Sequence, residues 1–199
     1  MFTDVPSAEA DTSAGYTEEP DLISLQTRLE ETLHEYNGLN AKAPLSLALF
    51  LYAIEHVCRV LRVLRMQGHI VNVGVGGSGR TSLSILAAYL QGMVVHQVEV
   101  GSAYGLHEWR EDLRRFCRVA GAAGRPGVLL LGDAQLKDEA FLEDVNSLLN
   151  SGEVCPSFRP IPLSKAAVAC ACDCLSTCHC VHRPCVHLHA GYAANFHYP

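Results

Sequence analysis

The stretch His69-Ile-Val-Asn-Val-Gly-Val-Gly-Gly-Ser-Gly-Arg-Thr-Ser-Leu83 limits what this chain can fold into more than any other. Ile70 to Val75 is an apolar run rich in β-branched residues, the pattern of a buried strand. Gly74, Gly76, Gly77 and Gly79 crowd the loop that follows, and Arg80 to Gln91 reads as a helix. Strand, glycine loop and helix in that order make an anion cradle. Glycines let consecutive backbone N–H groups turn inward, and the helix N-terminus adds its positive end. Gly74, four residues, Gly79, Arg80 and Thr81 fit the spacing G-x4-G-[KR]-[ST] of a phosphate loop, with arginine where lysine is usual.

The arginine carries chemistry. Lysine places a compact ammonium between phosphates, whereas arginine spreads the same charge over a planar fork. Binding a triphosphate is compatible with Arg80, while positioning it for transfer is less well served. The expected nucleotide cradle is Gly74, Val75, Gly76, Gly77, Ser78, Gly79, Arg80, Thr81 and Ser82. The Thr81 hydroxyl is expected to hold Mg²⁺, with Ser82 beside it as a substitute. The competing reading is a glycine-rich turn without a ligand, and the flanking strand and helix argue against it.

Elsewhere the periodicity gives packing elements. Leu22, Leu25, Leu29 and Leu33 recur at helical spacing up to Asn37-Gly38. Pro44 is expected to open a second helix with Leu47, Phe50, Leu51, Ile54, Val57, Leu61 and Leu64 on its apolar face. Arg59, Arg62 and Arg65 suit the negative end of that helix. Val94 to Val100 alternates as a strand. Leu106 to Ala120 reads as a helix with Trp109 in the core and the charges of Arg110 to Arg115 in solvent. From Lys137 a last helix carries Phe141, Val145, Leu148 and Leu149, with Glu143 and Asp144 expected on its solvated face.

Val128-Leu-Leu-Leu-Gly-Asp133 is the second informative stretch. Four apolar residues running toward an aspartate, downstream of a phosphate loop, resemble a Walker B strand, so Asp133 is expected to hold the Mg²⁺ water shell opposite Thr81. In hydrolysing AAA+ ATPases the next residue is a glutamate that aligns the attacking water. Here it is Ala134, and Gln135 is neutral. The chain is equipped to bind nucleotide and lacks the usual means to cleave it; no catalytic residue is assigned.

Composition narrows the class. Of 199 residues 49% are hydrophobic, enough for a real core. A net charge of −6 with no basic stripe argues against nonspecific nucleic-acid binding. The apolar stretch Leu45 to Leu64 is broken by Glu55, His56, Arg59 and Arg62, which argues against a membrane span. No signal-peptide pattern opens the chain, so an intracellular protein is expected. Residues 1–20 are polar and aperiodic, the pattern of a disordered leader.

Several segments together resemble the dynein heavy chains, and among them the fourth AAA+ module of the axonemal, or ciliary, type. They are Ile54-Glu-His-Val-Cys-Arg-Val60, the Gly74–Arg80 loop, Tyr104-Gly with Glu108-Trp-Arg-Glu-Asp-Leu-Arg114, and Phe141-Leu-Glu-Asp-Val-Asn-Ser-Leu-Leu-Asn-Ser-Gly-Glu-Val154. Arginine at position 80 and an aspartate with no glutamate after it are similar to that subgroup. The likeness runs from about Pro44 to Phe158, more loosely from Leu22. It implies a three-layer αβα P-loop NTPase fold of AAA+ type spanning residues 21–158. It also implies ATP or ADP with Mg²⁺ as cofactors and a regulatory role in a microtubule motor of the cilium axoneme. Partners would be neighbouring ring modules and dynein complex subunits, with microtubules reached only through the parent protein.

The likeness stops at Phe158. Residues 159–199 hold six cysteines from Cys170 to Cys185, with His182, His187 and His189 among or after them. Zinc binding, a disulfide framework and non-family sequence without selected function compete as readings. The spacing lacks a paired C-x2-C knuckle, and nothing else indicates an oxidising compartment, so a disordered, non-family tail is expected. In AAA+ modules a later strand, the one carrying sensor 1, lies between the phosphate-loop strand and the Walker B strand. That strand belongs beyond Phe158, as does the lid, so the fold is expected to be truncated, half a sheet with its middle missing, Ile70 to Val75 and Val128 to Leu131 each with an unpaired side, and the chain aggregated or molten. Val168 to Cys174 alternates poorly and carries Asp173, which makes it a bad surrogate. A non-catalytic interaction fragment with a vestigial phosphate site is the alternative function. A small nucleotide kinase or GTPase is disfavoured by the missing loop lysine and the absence of an Asn-Lys-x-Asp guanine reader.

Overall fold

The computed structural model describes residues 2–3, 5, 17–18, 21–122, 125–151, 166–172 and 186–190. In chain order the strands are β1 (Phe2–Thr3), β2 (Thr17–Glu18), β3 (Ile70–Gly74), β4 (Val94–Gln97), β5 (Gly127–Gly132), β6 (Ala166–Cys172) and β7 (Val186–Ala190). The helices are α1 (Leu22–Leu39), α2 (Leu51–Arg65), α3 (Arg80–Leu90), α4 (Leu106–Cys117) and α5 (Glu139–Ser151). A π-helical turn, Arg118–Ala122, prolongs α4, and a 3-10 turn, Asp133–Gln135, follows β5.

The main sheet has five strands in the order β4-β5-β6-β3-β7, and every pairing in it is parallel. Alternate residues of β3 and β5 face opposite sides. Ile70, Val128 and Leu130 join one core with Leu25 and Leu29 of α1, Ile54, Val57, Leu61 and Leu64 of α2, and Leu86 of α3. Val71, Val73, Leu129 and Leu131 join a second core with Trp109, Leu113 and Phe116 of α4 and Phe141, Val145 and Leu148 of α5. Helices therefore cover both faces, the three-layer αβα arrangement that an all-parallel sheet requires.

The central strand corrects the expectation of a sheet with its middle missing. β6 lies between β5 and β3, pairing Leu130 with Ala169 on one side and Ile70 with Ala169 on the other. Its sequence, Ala-Ala-Val-Ala-Cys-Ala-Cys, does not alternate, and a central strand of a parallel sheet typically reads as such a continuous run of small and apolar residues. Asp173 follows the strand rather than interrupting it. β7 then pairs with the other side of β3. A structureless tail is thus corrected at 166–172 and 186–190; residues 173–185 and 191–199 lie outside the described residues. The leader is corrected in the same partial way. β1 and β2 form an antiparallel pair, Val5 is buried, and the buried Thr3 Oγ1 lies 3.3 Å from Cys58 Sγ of α2. The rest of the leader lies outside the described residues.

A second difference concerns Pro44. Residues 44–50 lie outside any helix or strand, and α2 begins at Leu51. Asn37 explains it: its Oδ1 accepts from the Leu45 N–H at 2.7 Å and its Nδ2 donates to the Leu45 carbonyl at 3.0 Å. Both backbone groups of Leu45 are committed to that side chain, so neither enters a helical ladder. Among the described residues no helix is long and apolar enough to cross a membrane.

Because β6 is paired on both sides, proline at its centre should be costly. Ala169→Pro removes a ladder N–H and is expected to lower unfolding free energy by about 3 kcal/mol or more, read from urea denaturation followed by circular dichroism. An unchanged midpoint would show that β6 does not carry the sheet.

Candidate functional site

The strand, glycine loop and helix expected around Gly74 to Ser82 are present as β3, the loop and α3. Gly74 ends β3, and Val75 to Ser78 are exposed in the loop, where Ser78 N–H donates to the Val75 carbonyl at 3.2 Å. Gly79 caps α3 in the left-handed region at φ 77°, and Gly77 lies there at φ 81°. That conformation is what glycine supplies at little cost. A Cβ at Gly77 would meet nothing within 4 Å, so there is open space at that position, whereas a Cβ at Gly79 would lie 3.2 Å from Leu47 Cδ2 of the segment that Asn37 pins. Gly79 has no side chain with which to cap α3. Thr81 and Ser82 are half-buried in its first turn, and Arg80 is buried at 9% exposure.

Asp133 is exposed at the head of the 3-10 turn. In the sheet register Gly132 stands beside Ala171 of β6, and Ala171 beside Asn72 of β3. Gly74 and Asp133 therefore leave the same C-terminal edge, two strand spacings apart, about 9–10 Å between backbones. Ligands of open α/β sheets bind outside that edge. Arg80 and Asp133 each make further contacts within the protein.

Two neighbours of Asp133 have definite roles. Ala134 is exposed and offers only a methyl group. Gln135 is committed: its Oε1 accepts from the Gly132 N–H at 2.8 Å and its Nε2 donates to the Val98 carbonyl at 3.3 Å. The side chain pins the end of β5 to the segment that follows β4, a role that its neutrality in the sequence did not reveal. Asn72, buried within β3 and bonded to Ser84 of α3, also escaped the sequence reading. Its signal was present as the polar residue inside an apolar strand.

Asp144 corrects an expectation. It is buried at 6% exposure, accepting from Trp109 Nε1 at 3.2 Å and Arg110 Nε at 3.4 Å, while Glu143 is exposed as expected. Trp109 stacks on Phe141 with ring centroids 4.7 Å apart. Arg110 is thus drawn off the solvated face to tie α4 to α5. Tyr104 closes the same region, its hydroxyl donating to Asp112 at 2.7 Å; burial first, and then that carboxylate, raise its pKa. Burial pushes the Cys117 thiol up to about 11, so it is protonated and unreactive at neutral pH.

Cys170 and Cys172 stand beside Val71 and Val73 on one side of β3, and His187 and His189 beside the same two valines on the other. β6 and β7 thus flank β3, two strand spacings apart, about 9–10 Å between backbones. Among the described residues no cluster of three or more His, Cys, Asp or Glu could hold a metal ion.

Comparison with known proteins places this geometry in a family. The family model described as P-loop containing dynein motor region D4 matches residues 45–161. The chain is 42% identical to dynein axonemal heavy chain 3 of Homo sapiens over 161 residues, covering 80% of the chain and 4% of the relative. It is 44% identical to dynein axonemal heavy chain 1 of Rattus norvegicus over 127 residues, 63% of the chain and 3% of the relative. To dynein axonemal heavy chain 11 of Sus scrofa it is 48% identical over 131 residues, 65% of the chain and 3% of the relative. The chain thus spans 3–4% of the length of these curated relatives.

The Gln135 bonds generate a test. Gln135→Ala should speed amide hydrogen exchange at Gly132 and lower the melting temperature by about 2–4 °C, the effect of roughly 1 kcal/mol in a chain of this size. Unchanged exchange at Gly132 would mean the side chain does not hold the turn.

Proposed function

The chain belongs to the dynein heavy chain family, and we propose that it acts there as a nucleotide-binding AAA+ module, the fourth of the motor ring. In this reading it holds ATP or ADP with Mg²⁺, hydrolyses it slowly or not at all, and regulates the ring through occupancy. The observation that carries the reading is the pairing, at one sheet edge, of the Gly74–Ser82 cradle with Asp133 and a methyl group at position 134.

The residues fit the ligand. Backbone amides of Gly74 to Gly79 and the first turn of α3 would hold phosphates, with Arg80 adding positive charge. Thr81, with Ser82 beside it, and Asp133 would hold Mg²⁺, which when bound neutralises charge on phosphate oxygens. Ala134 can accept no proton, and both ends of the Gln135 amide are already used, so neither aligns a water. Neighbouring ring modules and complex subunits are the protein partners, microtubules are reached through the parent protein, and the location is the axoneme. The burial of Arg80 favours a second reading, an interaction fragment whose phosphate site is vestigial.

Nucleotide binding separates the two. MgATP at about 100 times its Kd should raise the melting temperature by about 5–10 °C through mass action, and Arg80→Ala should abolish the shift. A melting temperature indifferent to MgATP would favour the vestigial site. Steady-state phosphate release should lie near background in the wild type. Ala134→Glu should raise it once a ring neighbour supplies an arginine to the phosphates; rapid release by the wild type would refute the non-hydrolysing part.

A further inference from the structure

β3 reads Ile-Val-Asn-Val-Gly, and its middle residue, Asn72, is buried at 5% exposure between Ala171 of β6 and Leu188 of β7. An amide in the interior of a parallel sheet is costly unless it is hydrogen-bonded. Asn72 Nδ2 donates to Ser84 Oγ at 2.8 Å, and the Ser84 hydroxyl donates to the Arg80 carbonyl at 2.9 Å. Ser84 is buried as well. The two bonds form a bridge from the strand that enters the phosphate loop to the first turn of the helix that leaves it. Between these anchored flanks, Val75 to Ser78 are exposed.

We infer that Asn72 is a positioning residue for the nucleotide site: through Ser84 it fixes the first turn of α3 against β3 and so sets the opening of the phosphate loop. The inference rests on the nucleotide-binding reading above. Leu83, Leu86 and Ala87 already pack α3 into the core. Packing of that kind is non-directional, so it tolerates small slides and rotations of a helix on a sheet. A hydrogen bond has a length and an angle, and it selects one placement. Ser84 does not need Asn72 for its own satisfaction, because its hydroxyl proton is already accepted by Arg80. A valine at 72 would suit a buried strand and orphan no hydroxyl proton on Ser84. What the amide adds is placement of the turn bearing Arg80, Thr81 and Ser82.

The test compares Asn72→Val with the wild type in the full 199-residue chain, reading three quantities. They are the Kd of MgADP by titration calorimetry, the melting temperature without nucleotide, and amide exchange of residues 75–82. The Kd should weaken about five- to tenfold, as the loss of one buried bond predicts, and exchange should quicken in 75–82 only. The melting temperature without nucleotide should stay at or above that of the wild type. Adding Ser84→Ala to Asn72→Val should cost no further affinity, since the bond is already gone. An unchanged Kd with unchanged loop exchange would overturn the inference. So would a lowered melting temperature with faster exchange throughout, the signature of a merely structural bond. If the wild type fails to bind MgADP, the nucleotide reading falls. The exchange of residues 75–82 then still decides whether Asn72 holds the loop.

Discussion

The backbone ladder on both sides of β6 is the interaction on which the rest of the structure depends. β3 leads into the glycine loop and β5 into Asp133, yet the two strands are not paired with each other; each is registered against Ala166–Cys172. Remove that strand and two outcomes remain. β3 and β5 could pair directly, bringing the loop and the aspartate one strand spacing apart instead of two, about 5 Å rather than 10 Å. Or each could keep a row of buried, unpaired N–H and C=O groups, at about 1–3 kcal/mol apiece against a typical domain stability of only about 5–15 kcal/mol. Neither preserves a site that spans the sheet edge. The dynein family match ends at residue 161, before the strand that sets this spacing. Fold and site thus rest on a segment that carries none of the chemistry.

The two cores divide the work. The first, under α1, α2 and α3, holds the helix whose N-terminus faces the loop; the second, under α4 and α5, holds β5 from the other side. Polar groups are buried where separate elements must keep a fixed relation. Asn72 and Ser84 link β3 to α3, Asp144 links α5 to Trp109 and Arg110 of α4, and Gln135 links the end of β5 to Val98. Apolar packing supplies most of the driving force for folding but little direction, and directional bonds at these junctions supply the register.

This division explains what the sequence disclosed. The loop, the Walker B-like run and most of the core were legible because they are local patterns: glycine spacing, an apolar run ending in aspartate, and leucines at helical intervals. The central strand was not, because Ala166–Cys172 lacks the alternation of a half-exposed strand, an alternation that a central parallel strand need not show. Asp144 was misread for a related reason. Beside Glu143 it looks like an acidic surface pair, and only the approach of Trp109 and Arg110 from another helix makes it interior. Pro44 promised a helix start, but the Asn37 bonds to Leu45 are formed eight residues away and cannot be read from the proline. Long-range partners, rather than local propensity, decided each of these cases.

The site separates two requirements that a phosphate loop usually meets together. Holding a nucleotide needs inward N–H groups, a cation and a carboxylate for magnesium, all of which are backbone conformation or fixed charge. Cleaving it needs, in addition, a group that orients water, and the two positions after Asp133 withhold one in different ways. Position 134 has no polar atom. Position 135 has a polar side chain, but Gln135 spends it on holding the turn, so freeing the amide to meet a water would loosen the aspartate beside it. If Asp133 holds magnesium as proposed, a single substitution at 135 cannot add catalysis without disturbing that metal, whereas the exposed position 134 can take a carboxylate with no such conflict. On the proposed reading, slow hydrolysis is thus a property of one exposed position, and the remainder of the loop and sheet is built for occupancy. Such a module would be emptied by dissociation rather than turnover, and its influence on neighbours would follow nucleotide concentration and affinity, which the placement of the first turn of α3 helps to set.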